Sequence, residues 1–360
     1  MPKMTLRTPL VWSEACLRHE PKGEVWVGVT IEGTEIPERA KVIRSALEAA
    51  GASLALAIAH DDSILAKVHD PALLGWLQSA NEEWERDGFA TNPGQDRVVP
   101  YVFPTAAMLS ELPVRRPPAV HGRAGMFGYD TMTLIGPGTW EAARGAVDAA
   151  LTAVDLVASR EHDVAYALCR PPGHHASAAG YGGSCYLNNA AVAAEAFRSS
   201  GHERVAVVDI DAHHGNGTQM IFYDRADVFY GSVHVDPAAG WFPHYVGHAD
   251  ETGRGEGLGA NCNIPMAEGT PDRPWLDGVA ELVESVRAHG ATALVVSLGV
   301  DAAIDDPESP LQITESGYHA AGEQLATLGL PTVAVQEGGY HLPSLGNLVV
   351  ATIAGLESHR

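Results

Sequence analysis

Arg204-Val205-Ala206-Val207-Val208-Asp209-Ile210-Asp211-Ala212-His213-His214-Gly215-Asn216-Gly217 is an apolar strand that runs into a cluster of carboxylates and imidazoles. Side chains two apart on a strand share a face, so Asp209, Asp211 and His213 are expected along one side of its carboxyl end. Open α/β sheets take their ligands at that end. A carboxylate beside an imidazole is a donor set for zinc, and equally for manganese or ferrous iron. An Asp-x-His by itself arises by chance in surface loops, so the reading needs further ligands.

A third ligand comes from Val295-Val296-Ser297-Leu298-Gly299-Val300-Asp301, a second apolar strand that stops at a carboxylate. Asp211, His213 and Asp301 would make three protein ligands and leave a position open, as catalytic metal sites do. The plainer alternative is that each Asp caps the helix after its strand. His174 and His175, which follow a strand and the turn Arg170-Pro171-Pro172-Gly173, tilt the balance toward catalysis. Hydrolysing an amide with an activated water requires a base for the water and an acid for the leaving amine. Asp209 and Asn216 are candidate partners for the two rings. A carboxylate partner favours imidazolium and an amide partner favours the neutral ring. An oxyanion donor is sought at Glu337-Gly338-Gly339-Tyr340, where two glycines allow a sharp turn after the strand Pro331 to Val335.

Strand-like runs alternate with helix-like ones, which predicts a single α/β domain over 1–360, three layers deep, with a central, mostly parallel sheet flanked by helices. A first strand lies near Leu10-Val11-Trp12 and another spans Asp163 to Leu168. Helical spacing covers Glu38–Ala50, Pro71–Glu85 behind an Asp70 cap, Thr139–Ser159, Asn189–Arg198, Pro274–Ala288, Glu315–Thr327 and Leu345–Leu356. Residues 88–118 break the rhythm with proline and arginine, and a loop of that length is commonly functional or disordered.

The apolar share, 46%, suits a sizeable core. No apolar run is long enough to span a bilayer and no leader pattern opens the chain, so a cytoplasmic protein without a membrane partner is expected. Cys16, Cys169, Cys185 and Cys262 show no paired spacing, as fits a reducing compartment. The net charge of −22 argues against a nucleic-acid partner and suits steering of a cationic substrate.

Five stretches together carry a resemblance: RPPGHHA at 170–176, CYLNNAAVAA at 185–194, VVDIDAHHGNGTQMIFY at 207–223, SLGVDAAIDDP at 297–307 and EGGY at 337–340. In this order they resemble the arginase/deacetylase superfamily, and within it the zinc-dependent histone deacetylases and bacterial acetylpolyamine amidohydrolases. The resemblance implies the arginase/deacetylase fold and an amide hydrolase that removes acetyl or another short acyl group from an amine, most readily a cationic acetylpolyamine. It implies Zn(2+) on Asp211, His213 and Asp301. His174 is then held by Asp209, His175 faces Asn216 as base and acid, and Tyr340 donates to the oxyanion. A structural K(+) would lie at Asp209, the carbonyls of Asp211 and His213, and Ser232 with Val233, with a second monovalent site around Phe222, Arg225 and Val228. Residues 88–118 would form a homodimer contact at the active-site mouth, using Phe103, Met108, Leu109 and Leu112.

Substrate contacts implied in the same way are Asp130, Gly183, Phe242 and Glu308. Asp130 matches an aspartate that grips the substrate backbone in histone deacetylases, and Glu308 a rim glutamate of a polyamine-selective deacetylase. The chain also departs from the pattern. His121 and Met132 stand where the amidohydrolases carry acidic residues, and Ser184 where an aromatic tunnel wall is usual. Protein-lysine deacetylation, an arginase-like two-manganese hydrolase and a non-catalytic acyl-amine binding protein are the alternatives. The tandem His, Tyr340 and Asn216 weigh against the arginase-like reading, and the intact ligand and catalytic positions against the binding protein.

Overall fold

Strands covered on both faces can be apolar at every position, and that is what the central strands here show. In a computed structural model describing residues 5–358, Val164–Ala167, Val205–Asp209, Ala293–Leu298 and Thr332–Gln336 are buried throughout. The strands in chain order are β1 (Leu10–Trp12), β2 (Glu24–Trp26), β3 (Val29–Ile31), β4 (Leu54–Leu56), β5 (Val164–Ala167), β6 (Val205–Asp209), β7 (Val228–Val235), β8 (Asn261–Met266), β9 (Ala293–Leu298) and β10 (Thr332–Gln336). Eight of them form one sheet in the order β4-β1-β5-β10-β9-β6-β7-β8. Every pairing in it is parallel. β2 and β3 make a separate antiparallel hairpin.

Helices Thr139–Ala158 and Asn189–Ser199 pack on one another and on the central strands, while Pro37–Ala49, Asp272–His289, Glu315–Ala326 and Leu342–Leu356 form a second packed group. The result is a three-layer α/β fold. Local chemistry sets several helix starts. Asp70 accepts from the Ala72 N–H ahead of Pro71–Arg86, Asn188 from Ala191 and Thr314 from Gly317.

Sheet order explains where ligands belong. From β6 the chain moves to its neighbour β7, and from β9 it moves the opposite way to β10. The connections therefore diverge between β6 and β9, which opens a crevice at their carboxyl ends. Asp209, Asp211 and His213 leave β6 there and Asp301 leaves β9. Register sets Asp209 between Ser297 and Ser232. The tandem His follows β5, and Tyr340 follows β10.

Three sheet strands and the hairpin exceed the sequence expectation. β4 and β2–β3 are only three residues each, too short to show a period. β8 is an edge strand with mixed burial and a proline at 265. Residues 88–118 contain a single short helix, Ala106–Leu109, and one bridge, Val98 to Ile135. Met108 and Leu112 on this segment are exposed.

Candidate active site and metal centre

Asp211, His213 and Asp301 bring their ligand atoms within 4.8 Å of one another. The backbone shapes this cluster. Gly338 donates its N–H to Asp211 Oδ2 at 2.9 Å, and Ala212 donates to Asp301 Oδ1 at 2.8 Å. A Cβ on Gly338 would lie 2.4 Å from Asp301 Oδ2 and 2.8 Å from Asp211 Oδ2, so only glycine lets β10's end approach two carboxylates this closely. Burial and the neighbouring Asp211 push Asp301 up to about 7. Burial opposes charge on His213, but hydrogen bonds to Asp211 and Asp301 outweigh it and carry the ring up to about 10. Both shifts say that the pocket calls for positive charge between two buried carboxylates. A divalent cation would supply it, and the two-carboxylate, one-imidazole donor set fits zinc.

A second group, His174, Cys185 and Glu337, also lies within 4.8 Å. Burial raises the Cys185 thiol well above its usual range, which keeps it protonated and a poor ligand. Glu337 has another task. Its Oε2 accepts the N–H of Gly173 at 2.6 Å and of His174 at 3.0 Å, fastening the tandem-His turn to the end of β10.

The two histidines have different partners. His174 Nδ1 is 3.0 Å from Asp209 Oδ2, which Tyr230 Oη also reaches at 3.2 Å. Burial works against charge on His174, yet Asp211 and Asp209 raise it well above the ordinary histidine value. His175 Nδ1 is 2.7 Å from Asn216 Oδ1. Burial, then the charges of His174 and His213, push His175 well below the ordinary value. Its tautomer follows from Tyr129. The Tyr129 hydroxyl donates to the His175 carbonyl at 2.8 Å and so accepts from Asn216 Nδ2 at 3.4 Å. Asn216 Oδ1 is thereby the acceptor, His175 Nδ1 carries the proton, and Nε2 is a free base.

Tyr340 lines the same cavity as His175 and His213. Burial raises its phenol well above the usual range despite Arg39, whose guanidinium lies 4.6 Å over the ring. The phenol therefore stays protonated and able to donate. Arg39 also donates to the carbonyls of Gly339 at 2.5 Å and Glu337 at 2.7 Å, and is itself paired with Glu35 at 2.9 Å.

The cavity, about 90 Å³, is lined further by Gly183, Ser184, Phe242, Met132, Thr34, Glu24 and Glu308. Gly183 and Ser184 are the central residues of a tight turn between Gly182 and Cys185, at φ 56° and 61°. A Cβ at Gly183 would stand 2.4 Å from His175 Cδ2 and 2.9 Å from Phe242 Cε1. Phe242 meets the His175 ring edge-to-face at 4.7 Å between centroids. Glu308 accepts from Thr34 Oγ1 at 3.3 Å.

Asp130 has a structural task as well as the one expected from the sequence. Its Oδ1 accepts from the N–H groups of Met132 and Thr133, both at 2.9 Å, and its Oδ2 from Gly183 N at 2.6 Å and Thr133 Oγ1 at 3.1 Å. Asp130 fastens the Gly183–Ser184 turn.

Sequence reading missed Glu24, Tyr129 and Tyr230. Glu24 sits on the three-residue strand β2, some distance along the chain from every motif. Burial, with Glu308 and Asp130 nearby, pushes Glu24 up to about 7. Ser232 Oγ is 2.8 Å from His234 Nδ1, one strand over from Asp209.

The family model of the histone deacetylase domain matches residues 34–356. The acetylpolyamine amidohydrolase of Mycoplana ramosa is 39% identical, over 96% of this chain and 99% of that protein. Acetylpolyamine amidohydrolase 2 of Pseudomonas aeruginosa is 37% identical, over 97% and 99%. Among solved structures, an acetylpolyamine aminohydrolase from Burkholderia pseudomallei superposes with a TM-score of 0.91 at 36% identity, covering 98% of this chain and 99% of that one.

Proposed function

The chain belongs to the histone deacetylase family, and on that premise we propose that it is a zinc-dependent amidohydrolase releasing acetyl groups from acetylpolyamines. The observation that carries the substrate class is the pair Glu24 and Glu308 on the wall of the catalytic cavity. Two carboxylates beside a narrow pocket suit an ammonium further along the acylated chain, and a cation there would offset the burial and the Glu308 charge that raise the Glu24 carboxyl.

Asp211, His213 and Asp301 would hold zinc, which would supply Lewis acidity at the scissile carbonyl and lower the pKa of the attacking water. The chain's own groups do the rest. His175 Nε2 takes the water's proton, and His175 later gives a proton to the departing amine nitrogen. His174 stays charged on Asp209 and Asp211, which keeps its neighbour neutral at rest. Tyr340 donates its phenol hydrogen to the developing oxyanion. Phe242 and the Gly183 backbone wall off the acyl group from water.

Two finer readings travel with this one. K(+) behind the zinc would use Asp209, Ser232 and Val233, which the β6–β7 register sets side by side. A homodimer through residues 88–118 would cover the exposed Tyr101, Met108, Leu112 and Val114, and light scattering of the purified protein tests it. Among the described residues no helix is long and apolar enough to cross a membrane.

The test is steady-state kinetics of the zinc-loaded protein on acetylputrescine, acetylspermidine and an acetyl-lysine peptide. A kcat/KM at least about tenfold higher on the acetylpolyamines, roughly 1.4 kcal/mol of transition-state discrimination, sustains the proposal. Preference for the peptide overturns the substrate class and leaves the amide chemistry standing.

A further inference from the structure

We propose that Asp306 is a positioning residue that ties the oxyanion donor Tyr340 to the rim carboxylate Glu308, so that an amine bound at the rim steadies the phenol. The inference rests on the amidohydrolase reading above. Asp306 is buried, whereas its neighbours Ile304, Asp305 and Pro307 are exposed. Its Oδ2 accepts the N–H of Tyr340 at 2.6 Å and of His341 at 3.0 Å. Its other oxygen, Oδ1, accepts the N–H of Glu308 at 3.0 Å.

The geometry of these three bonds gives the residue its role. His341 is the N-cap of the helix Leu342–Leu356 and has no side-chain cap bond, so Tyr340 stands just outside the helix, where the chain has no ladder to hold it. A carboxylate accepting both N–H groups fixes the peptide plane on either side of the Tyr340–His341 link, and with it the direction in which the phenol projects. Bonds from a charged acceptor are shorter and about twice as strong as neutral ones. The Arg39 stack restrains the ring from one face, and Arg39 also holds the Gly339 carbonyl, but neither contact reaches the Tyr340–His341 link. The loop that supplies Asp306 is held in place by Ala303, whose carbonyl accepts from the Asp306 N–H at 2.9 Å, and by Asp306's own carbonyl, which accepts from Ser309 at 3.1 Å. Glu308 is therefore two residues from the clamp on a tight turn, and a pull on its carboxylate reaches Tyr340 through one side chain.

The replacement Asp306→Asn tests this, because an amide presents an NH2 group to one of the N–H donors and must release it. On acetylputrescine the variant should lose about tenfold or more in kcat, with KM for an uncharged acylated amine within about twofold. In the Tyr340→Phe background the same change should cost less than about threefold, since the group through which it acts is gone. A full, additive loss in that background overturns the proposal, as does an unchanged kcat in the single variant.

A measurement on the unaltered protein removes any dependence on the variant's folding. Putrescine, the product amine, is added and amide hydrogen exchange is followed. Slower exchange at both 306–308 and 340–341 supports the coupling, and slowing confined to 306–308 refutes it. Wild-type protein with no amidase activity would instead refute the underlying reading, so the two failures are distinguishable.

Discussion

Asn216 holds His175 at 2.7 Å through an oxygen that carries no charge. One residue earlier, His174 is held by the carboxylate of Asp209 at 3.0 Å. Two adjacent imidazoles are thus biased in opposite directions, and the bias is set by the partner's chemistry. Asn216→Asp gives the base a charged partner of the same shape. A carboxylate stabilises the imidazolium, so His175 should stay protonated to higher pH. The acidic limb of the kcat/KM profile on acetylputrescine is expected to move up by about one unit, worth about 1.4 kcal/mol. An unmoved limb would mean that His175 is not the group whose deprotonation limits the rate.

Tyr340→Phe removes one hydroxyl and keeps the ring that Arg39 covers at 4.6 Å. Loss of an oxyanion donor costs about 10²–10³ in kcat where it has been removed elsewhere. That range is expected here, with KM changed by less than about threefold and an unchanged melting temperature. A rise in KM alone would assign the phenol to ground-state binding.

Much of this site can be read in the chain, for a physical reason. Asp209 ends β6, and Asp211 and His213 follow it within four residues in the bend beyond, so nearness in sequence keeps all three at one strand end. Asp301 lies just past the end of β9, the sheet neighbour of β6, and a buried strand running into a carboxylate is visible as composition. Glu24 was illegible because β2 is three residues long and its place beside Glu308 is a tertiary fact. Asp130 was read only as a substrate contact, and the four bonds by which it fastens the Gly183–Ser184 turn are a tertiary fact. β7 went unrecognised as a strand because Gly231, Ser232 and His234 interrupt a run that is nonetheless buried from end to end.

Glu24 makes recognition depend on pH. Burial, then Glu308, lifts its carboxyl up to about 7, so it is charged above that value and neutral below it. KM for acetylputrescine should therefore rise as pH falls from 8 to 6, while an uncharged analogue such as N-acetylbutylamine shows no such rise. Glu24→Gln should abolish the difference. The same shift has a stability consequence of definite sign. A carboxyl raised above its unfolded value costs folding free energy once the pH exceeds that unfolded value, so Glu24→Gln should melt higher than wild type at pH 8. Lower stability of the variant at pH 8 would show that the carboxylate is paired in the fold.

Removing the metal should expose the electrostatic problem that it solves. Without a cation, Asp211 and Asp301 face one another in a buried pocket, and Asp301 titrates up at about 7 because burial and Asp211 disfavour its charge. Between the ordinary carboxyl value and about 7 the unfolded chain is ionised while Asp301 still holds its proton, so stability falls across that window and the full cost is present above it. His213 acts in the same direction: hydrogen bonds to the two carboxylates carry it up to about 10 against the cost of burial. A raised histidine contributes stability that is complete below its unfolded value and is lost as pH rises through its folded one. Chelated protein should accordingly melt below the zinc-loaded form, with a gap that widens between pH 6.5 and 9, and zinc should restore it. Differential scanning calorimetry at the two pH values decides the point. An equal melting temperature with and without chelator at pH 9 would mean that these three side chains hold no structural cation, and the assignment of Asp211, His213 and Asp301 would fall with it.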